Sequence, residues 1–215
     1  MIYIDGIEYI ESDNDQYRSA VINALETRPD IISEYNTEFM KVSSNSVMFN
    51  MYSPNSVAFT TLGIHPYMLA GGDLYIKSSI KNYIKEMNDI RPTHTLILPC
   101  VYNRVNIDEL NLSNCEQVLV GSDLTPDNAL TFLRMAGAKS AYSVYGSTIT
   151  PPIIAFTEAD NHYRWENVNP LVDVSIQDNK LHVRWKHTDK VWISDDLIEE
   201  TYTGFKIIEK RYKCI

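Results

Sequence analysis

The chain opens on two short apolar runs, Ile2-Tyr3-Ile4 and Ile7-Glu8-Tyr9-Ile10, on either side of Asp5-Gly6. An Asp-Gly turn of two residues tolerates positive φ at both positions, so the segment predicts a β-hairpin. Tyr17, Ala20, Val21, Ala24 and Leu25 then recur at helical spacing. Asp13 or Asp15 can cap that helix, and Arg28-Pro29 ends it, because the residue before proline avoids the α region. Residues 30–46 are polar and show no period that assigns them. Residues 47–52 read as a strand, and 56–70 as an apolar helix interrupted at Gly63 or Pro66 and closed by Gly71-Gly72.

From there the alternation becomes regular. A strand over 74–76 precedes a helix carrying Ile80, Tyr83, Ile84 and Met87, and Pro92 separates that helix from a strand over 93–98. A short helix near 100–105 leads to a strand over 117–120, then a helix from Pro126 to Met135 closed by Gly137, then a strand over 140–145. Strands alternating with helices predict crossover connections and a mostly parallel sheet. After residue 151 the pattern changes to period two: 171–176 and 181–185 flank Gln177-Asp178-Asn179-Lys180 as an antiparallel hairpin, and 191–193 and 205–208 continue it. The expected architecture is α/β, with a sheet domain over 1–150 and a smaller antiparallel β-rich part over 151–215.

Charge narrows the function. Of 215 residues, 19 are Lys or Arg and 28 are Asp or Glu, a formal net charge of −9, whereas nucleic-acid binders neutralise phosphates with clustered cations. No apolar run reaches the ~18–20 residues of a membrane helix, and the N-terminus lacks the basic and apolar regions of a signal peptide. The expectation is a soluble cytoplasmic protein without nucleic-acid or membrane partners. Three scattered cysteines, Cys100, Cys115 and Cys214, fit a reducing compartment and no zinc spacing. His65, His94, His162, His182 and His187 likewise lack metal-ligand spacing, so no metal site is expected.

Ligands of open parallel sheets bind outside the carboxyl ends of the strands. Three segments fall there: Pro99-Cys100, Gly121-Ser122-Asp123, and Tyr145-Gly146-Ser147-Thr148-Ile149-Thr150. Gly121 permits close backbone approach, Ser122 and Asp123 offer hydrogen-bonding groups ahead of a helix N-terminus, and the third loop combines an aromatic face with two hydroxyls. Each could equally be an ordinary strand-to-helix turn. Cys100 has no assignable histidine base and reads as a buried small residue, while Asp195-Asp196 with Glu199-Glu200 reads as a solvated acidic face.

In order along the chain, several segments resemble the acyl-adenylate-forming superfamily of acyl-CoA synthetases, luciferase-like enzymes and peptide-synthetase adenylation domains. Residues 91–99, RPTHTLILP, are similar to its P-T-x-x-x-x-x-P strand; 117–124, QVLVGSDL, to its glycine turn near adenine; 144–150, VYGSTIT, to its Y-G-x-T-E loop. Trp192-Ile193-Ser194-Asp195-Asp196-Leu197 resembles W-x-T-G-D-L, and 204–211, GFKIIEKR, resembles the approach to the family's hinge. The resemblance covers about 47–215. It implies the fold of that family's N-terminal core, ATP or AMP as ligand, and a small carboxylate that attacks the α-phosphate. It also implies roles: Tyr145 against adenine, Thr148 on phosphate and Asp196 on ribose, with Gly121, Ser122, Asp123, Gly146 and Ser147 completing the nucleotide site.

The departures from that pattern argue against catalysis. Ile149 replaces the glutamate that would hold magnesium, and Asp195 replaces the G-D-L glycine. No Ser/Thr/Gly-rich phosphate loop ending in lysine exists, and the 8 glycines are scattered, so a magnesium–triphosphate has no cradle. The hinge aspartate falls at Cys214, one residue before the end, so the family's C-terminal domain and its lysine are missing from this sequence. No residue is therefore assigned a catalytic role. Two functions follow: a non-catalytic adenylate-fold module binding AMP, ATP or an acyl ligand or serving in interactions, or a minimal carboxylate-adenylating ligase completed by a partner. The face left by the missing domain invites self-association or a partner protein.

Overall fold

The N-terminal hairpin forms in the computed structural model, which describes residues 1–146, 153–160, 164–188, 190–202 and 204–209. β1 (Ile2–Ile4) pairs antiparallel with β2 (Ile7–Glu8), and Asp5 and Gly6 turn the chain at φ of 49° and 85°. The second arm is shorter than predicted because Tyr9–Glu11 winds into a 3-10 turn. The cap of α1 (Asp15–Glu26) is neither Asp13 nor Asp15 but Asn14, whose side chain accepts from the Tyr17 amide. α2 (Ile31–Met40) fills the unassigned stretch. Ile31, Ile32, Tyr35, Phe39 and Met40 recur at helical spacing along it, interleaved with the buried polar residues Ser33 and Asn36, and its start is marked by Asp30, which accepts from the Ser33 amide at 2.9 Å.

β3 (Val47–Asn50) leads into α3 (Val57–Phe59), which continues through a π turn at Thr60–Ile64 into α4 (His65–Ala70). The expected interruption is thus a widened turn rather than a break: the His65 amide bonds the Thr60 carbonyl, one residue further back than in an α-helix, just ahead of Pro66. The rest alternates as the sequence predicts: β4 (Asp73–Ile76), α5 (Tyr83–Ile90), β5 (His94–Ile97), α6 (Pro99–Tyr102), β6 (Gln117–Val120), α7 (Ala129–Met135) and β7 (Ser140–Tyr145). α7 starts three residues later than expected, because Asn128 ahead of it sits at φ 59°.

The β-rich part supplies β8 (Ala155–Thr157), β9 (Arg164–Trp165), β10 (Asn167–Val168), β11 (Val172–Gln177), β12 (Lys180–Trp185), β13 (Val191–Ile193), β14 (Leu197–Thr201) and β15 (Gly204–Glu209). Asp178 and Asn179, at φ of 51° and 58°, make the expected two-residue turn between β11 and β12. β14 runs through the stretch read as an acidic face; Glu199 and Glu200 are exposed on it.

Among the described residues nine strands form the main sheet, in the order β10-β8-β7-β6-β5-β3-β4-β1-β2. The six from β7 to β1 are parallel, and antiparallel strands close both edges. β8 and β10 join this sheet from beyond residue 150. Two small antiparallel sheets, β11-β12-β13 and β14-β15-β9, lie against its β7 side. α1, α2 and the π turn bury Val21, Ala24, Met40, Leu62 and Ile64 on one face; α5, α6 and α7 bury Tyr83, Met87, Val101, Leu130 and Leu133 on the other. The connection from β3 to β4 therefore crosses one face and the connections from β4 through β7 the other, as right-handed crossovers require when the direction along the sheet reverses.

Two buried histidines couple this fold to pH. His65 lies 2.7 Å from Ser33 Oγ at Nδ1 and 2.9 Å from Thr27 Oγ1 at Nε2, tying the ends of α1 and α2 to α4. Burial holds His65 and His94 below their ordinary 6.5, against weaker upward pulls from Asp30 and the Ala24 carbonyl on His65 and from the Met40 carbonyl and Glu116 on His94. The unfolded chain therefore binds more protons below pH 6.5. Stability from this source is full above 6.5 and declines as pH falls toward the folded-state values. The urea midpoint is expected to be lower at about pH 5.5 than at about pH 7.5, and replacing both histidines by glutamine should flatten that difference.

Candidate functional site

The reversal of connection direction fixes where a crevice opens. After β3 the chain leaves toward one face of the sheet and after β5 toward the other, so the carboxyl ends of these neighbouring strands part. A cavity of about 250 Å³ occupies that position, walled by Tyr17, Met51, Tyr52, Leu98, Cys100 and Val101, with Arg104 as the single cation among the described residues of its lining. Tyr17 Oη donates to the Tyr52 carbonyl at 2.8 Å and fastens α1 across one side. Burial pushes the Tyr17 hydroxyl above its ordinary value, with Asp5 adding to the shift. The sequence pointed to Pro99-Cys100 at this place; Met51, Tyr52 and Arg104 carry no motif, and only the strand order reveals them.

The turn after β6 behaves differently from an open phosphate site. Gly121 is buried, and a Cβ there would lie 2.7 Å from Val144 Cγ2. Ser122 stands at φ 77°, keeping a glycine-like conformation without the glycine. Asp123 Oδ1 accepts from the Leu124 amide at 2.8 Å. The helix behind this turn already holds an anion: Asp160 accepts from the Leu130 and Thr131 amides of α7, each at 2.8 Å. Asn128, at the position before α7, makes no such bond, so the cap comes from thirty residues downstream. Asp160→Ala is expected to cost about 1–2 kcal/mol in denaturant unfolding, whereas Asp160→Asn should cost less.

At the end of β7 the structure brings two of the expected site residues together. Tyr145 Oη donates to Asp196 Oδ2 at 2.9 Å, across 51 positions of chain. Tyr145 is 4% exposed and Asp196 8%. The Tyr145 ring packs against Trp165 at 5.1 Å and edge-on to Phe205 at 5.5 Å, so its surroundings are aromatic side chains of the small sheet. Burial, reinforced by Asp196, raises the Tyr145 hydroxyl far above its ordinary value. Asp196 is held in register by Ser194, whose Oγ accepts from the Leu181 amide at 3.1 Å and donates to the Asp196 carbonyl at 3.3 Å. Gly146 is half-buried at the strand end. Ser147, Thr148 and Ile149, like Lys210, Arg211 and Cys214, lie outside the described residues.

Cys115 is a structural thiol: it is buried, approaches the Thr93 and Gln117 carbonyls at 3.4 and 3.3 Å, and is pushed up to about 12 by burial. Among the described residues no group of three or more His, Cys, Asp or Glu side chains is placed to hold a metal ion. No helix among them is long and apolar enough to cross a membrane.

A six-strand parallel core, helices on both faces and small antiparallel sheets beside one edge define the fold class: it is that of the AMP-forming acyl-CoA synthetases and adenylation domains. Among solved structures, the chain superposes on O-succinylbenzoate coenzyme A synthetase (MenE) from Bacillus subtilis in complex with AMP, with TM-score 0.65 and 13% identity over 93% of this chain and 46% of that one. Escherichia coli MenE with a bound phenylether-linked analogue of OSB-AMS gives 0.65 and 14% over 83% and 43%. An acyl-CoA synthetase (AMP-forming)/AMP-acid ligase II-like protein from Dyadobacter fermentans gives 0.63 and 12% over 90% and 54%. The chain thus spans about half the length of these neighbours. No protein-family model and no curated protein matches the sequence.

Proposed function

We propose that this chain is an adenylate-fold protein that does not adenylate, and that it binds a small apolar carboxylate in the crevice between β3 and β5. The hydrogen bond between Tyr145 and Asp196 carries this proposal, because the two positions that the resemblance gives to adenine and ribose are spent on each other inside the protein. A nucleotide there must break that bond and lift Tyr145 from Trp165 and Phe205. Asp160 supports the same conclusion, since a carboxylate seated on α7 repels the phosphates that a helix N-terminus otherwise attracts. The Ile149 side chain offers magnesium no oxygen. The residues therefore do not fit a magnesium–triphosphate.

What remains is a walled crevice with one guanidinium. Its apolar lining suits a short aliphatic or aromatic tail, and Arg104, which forms no ion pair among the described residues, suits a carboxylate. Calorimetric titration with hexanoate and benzoate is expected to show saturable binding that Arg104→Ala weakens about tenfold. AMP and ATP, with or without magnesium, are expected to give none. Saturable AMP binding that disappears in Asp196→Ala would overturn the proposal.

A further inference from the structure

The small sheet β11-β12-β13 buries one face and leaves the other open. Val172, Leu181, Val183 and Trp185 point inward, while Asp173, Ser175, Gln177 and Arg184 are exposed on the outward face. A cavity of about 370 Å³ lies on that face, bounded by side chains of β11 and β12 and by Val191 of β13. β13 is the edge of this sheet, and among the described residues no strand pairs with its far side. The Trp185 amide donates to the Lys190 carbonyl at 3.3 Å, and the Ser194 amide to the Leu181 carbonyl at 2.8 Å. Bonded and non-bonded positions alternate in an antiparallel pair, so between these anchors Trp192 bonds β12 while Val191 and Ile193 turn their N–H and C=O groups away from it. Both residues stand open, at 51% and 47% exposure. Such an edge is a template for a further strand.

The same face is basic, in a chain whose formal net charge is −9. Lys180, His182, Arg184 and Lys186 stand at every second position along β12 and just past its end, so they share its outward side. His182 is the register partner of Ile193, and Arg184 that of Val191, which sets both one strand in from the open edge. Lys190 is exposed just ahead of β13. Asp173 is the one acid among the described residues of the cavity lining, and Arg184 at 2.7 Å and Lys186 at 3.7 Å already share it. Lys180 and Lys190 form no ion pair among the described residues.

We propose that the β13 edge binds an extended acidic segment of another protein, which adds to this sheet as a further strand. The N–H and C=O groups of Val191 and Ile193 pair with its backbone. Every second side chain of the added strand falls on the outward face, within reach of Arg184 and His182, and there glutamate or aspartate meets the basic row. Backbone pairing supplies the affinity and the alternating charge supplies the preference. A nucleic acid or a lipid surface answers the charge alone, because neither brings peptide groups to the edge. This surface is separate from the crevice and does not depend on what binds there.

Amide NMR of the full chain tests it, with the end-capped peptide Glu-Val-Glu-Val-Glu-Val-Glu as probe. The peptide is expected to move the Val191 and Ile193 amide signals saturably, with an affinity that falls as salt rises. Two control peptides separate the contributions. One, N-methylated at alternate amides, keeps the charge and loses the pairing; the other carries lysine in place of glutamate. Each is expected to bind at least about tenfold more weakly. In the protein, Ile193→Pro removes an N–H that points away from β12, a change that edge strands tolerate, and it should weaken the peptide about tenfold, as should Lys180→Gln combined with Lys190→Gln. Unmoved Val191 and Ile193 signals, or equal binding of the N-methylated peptide, would overturn the proposal. So would a DNA duplex or phosphatidylserine vesicles moving the same two signals as strongly as the peptide does. Because the comparison of peptides uses the unaltered chain, it decides the matter even if no substituted chain folds.

Discussion

Trp165→Ala is expected to lower the unfolding free energy by about 3–5 kcal/mol, the range for deleting a large buried aromatic. Trp165 is 2% exposed and sits where the sheet β14-β15-β9 meets the main sheet, with Tyr145 at 5.1 Å and Phe205 at 5.7 Å. Its loss removes the wall against which Tyr145 lies, so the Tyr145–Asp196 bond loosens with it. Trp165→Phe sharpens the test. Trp165 Nε1 is buried with no hydrogen-bond partner among the described residues, and an unsatisfied buried donor costs about 1–3 kcal/mol. Phenylalanine removes that penalty while keeping a ring, so its cost should be a small fraction of alanine's. Equal losses for both substitutions, measured by denaturant unfolding, would show that ring packing at this junction contributes nothing.

Gly72→Ala is expected to destabilise by about 3 kcal/mol or more. Gly72 turns the chain from α4 into β4 at φ 93°, where a side chain is strained, and a Cβ would lie 2.4 Å from the Ser46 carbonyl oxygen, a backbone atom that cannot swing aside. Its neighbour is the internal control. Gly71 has φ 81°, but its nearest atom to a Cβ is 3.6 Å away, so Gly71→Ala should cost only the conformational strain of about 1–2 kcal/mol. Similar losses at both positions would show that contact with the Ser43–Ser46 turn contributes nothing.

The parts of the fold legible in the sequence are those whose signal is local. Gln117-Val118-Leu119-Val120 is a short apolar run bounded by turns, and Asp178-Asn179 is a two-residue hairpin turn by composition alone. α2 carries Ile31, Ile32, Tyr35, Phe39 and Met40 at helical spacing, a signal that the polar residues between them, two of which (Ser33 and Asn36) are buried, obscure. The candidate site was legible in part. The resemblance singled out Tyr145 and Asp196, but nothing local says that residues 51 positions apart bond each other. Asp160 gave no signal at all, since it caps a helix that precedes it by thirty residues. The crevice follows from β4 lying on the far side of β3 from β5, a fact of strand order that periodicity does not encode.

The most direct measurement is ATP–pyrophosphate exchange by the purified chain with magnesium and a panel of small carboxylic acids. With Tyr145 and Asp196 closed on each other and Asp160 seated on α7, the expected result is no carboxylate-dependent exchange above the protein-free background. Exchange that requires the carboxylate and is lost in Asp196→Ala would contradict the central claim and establish a minimal ligase in its place.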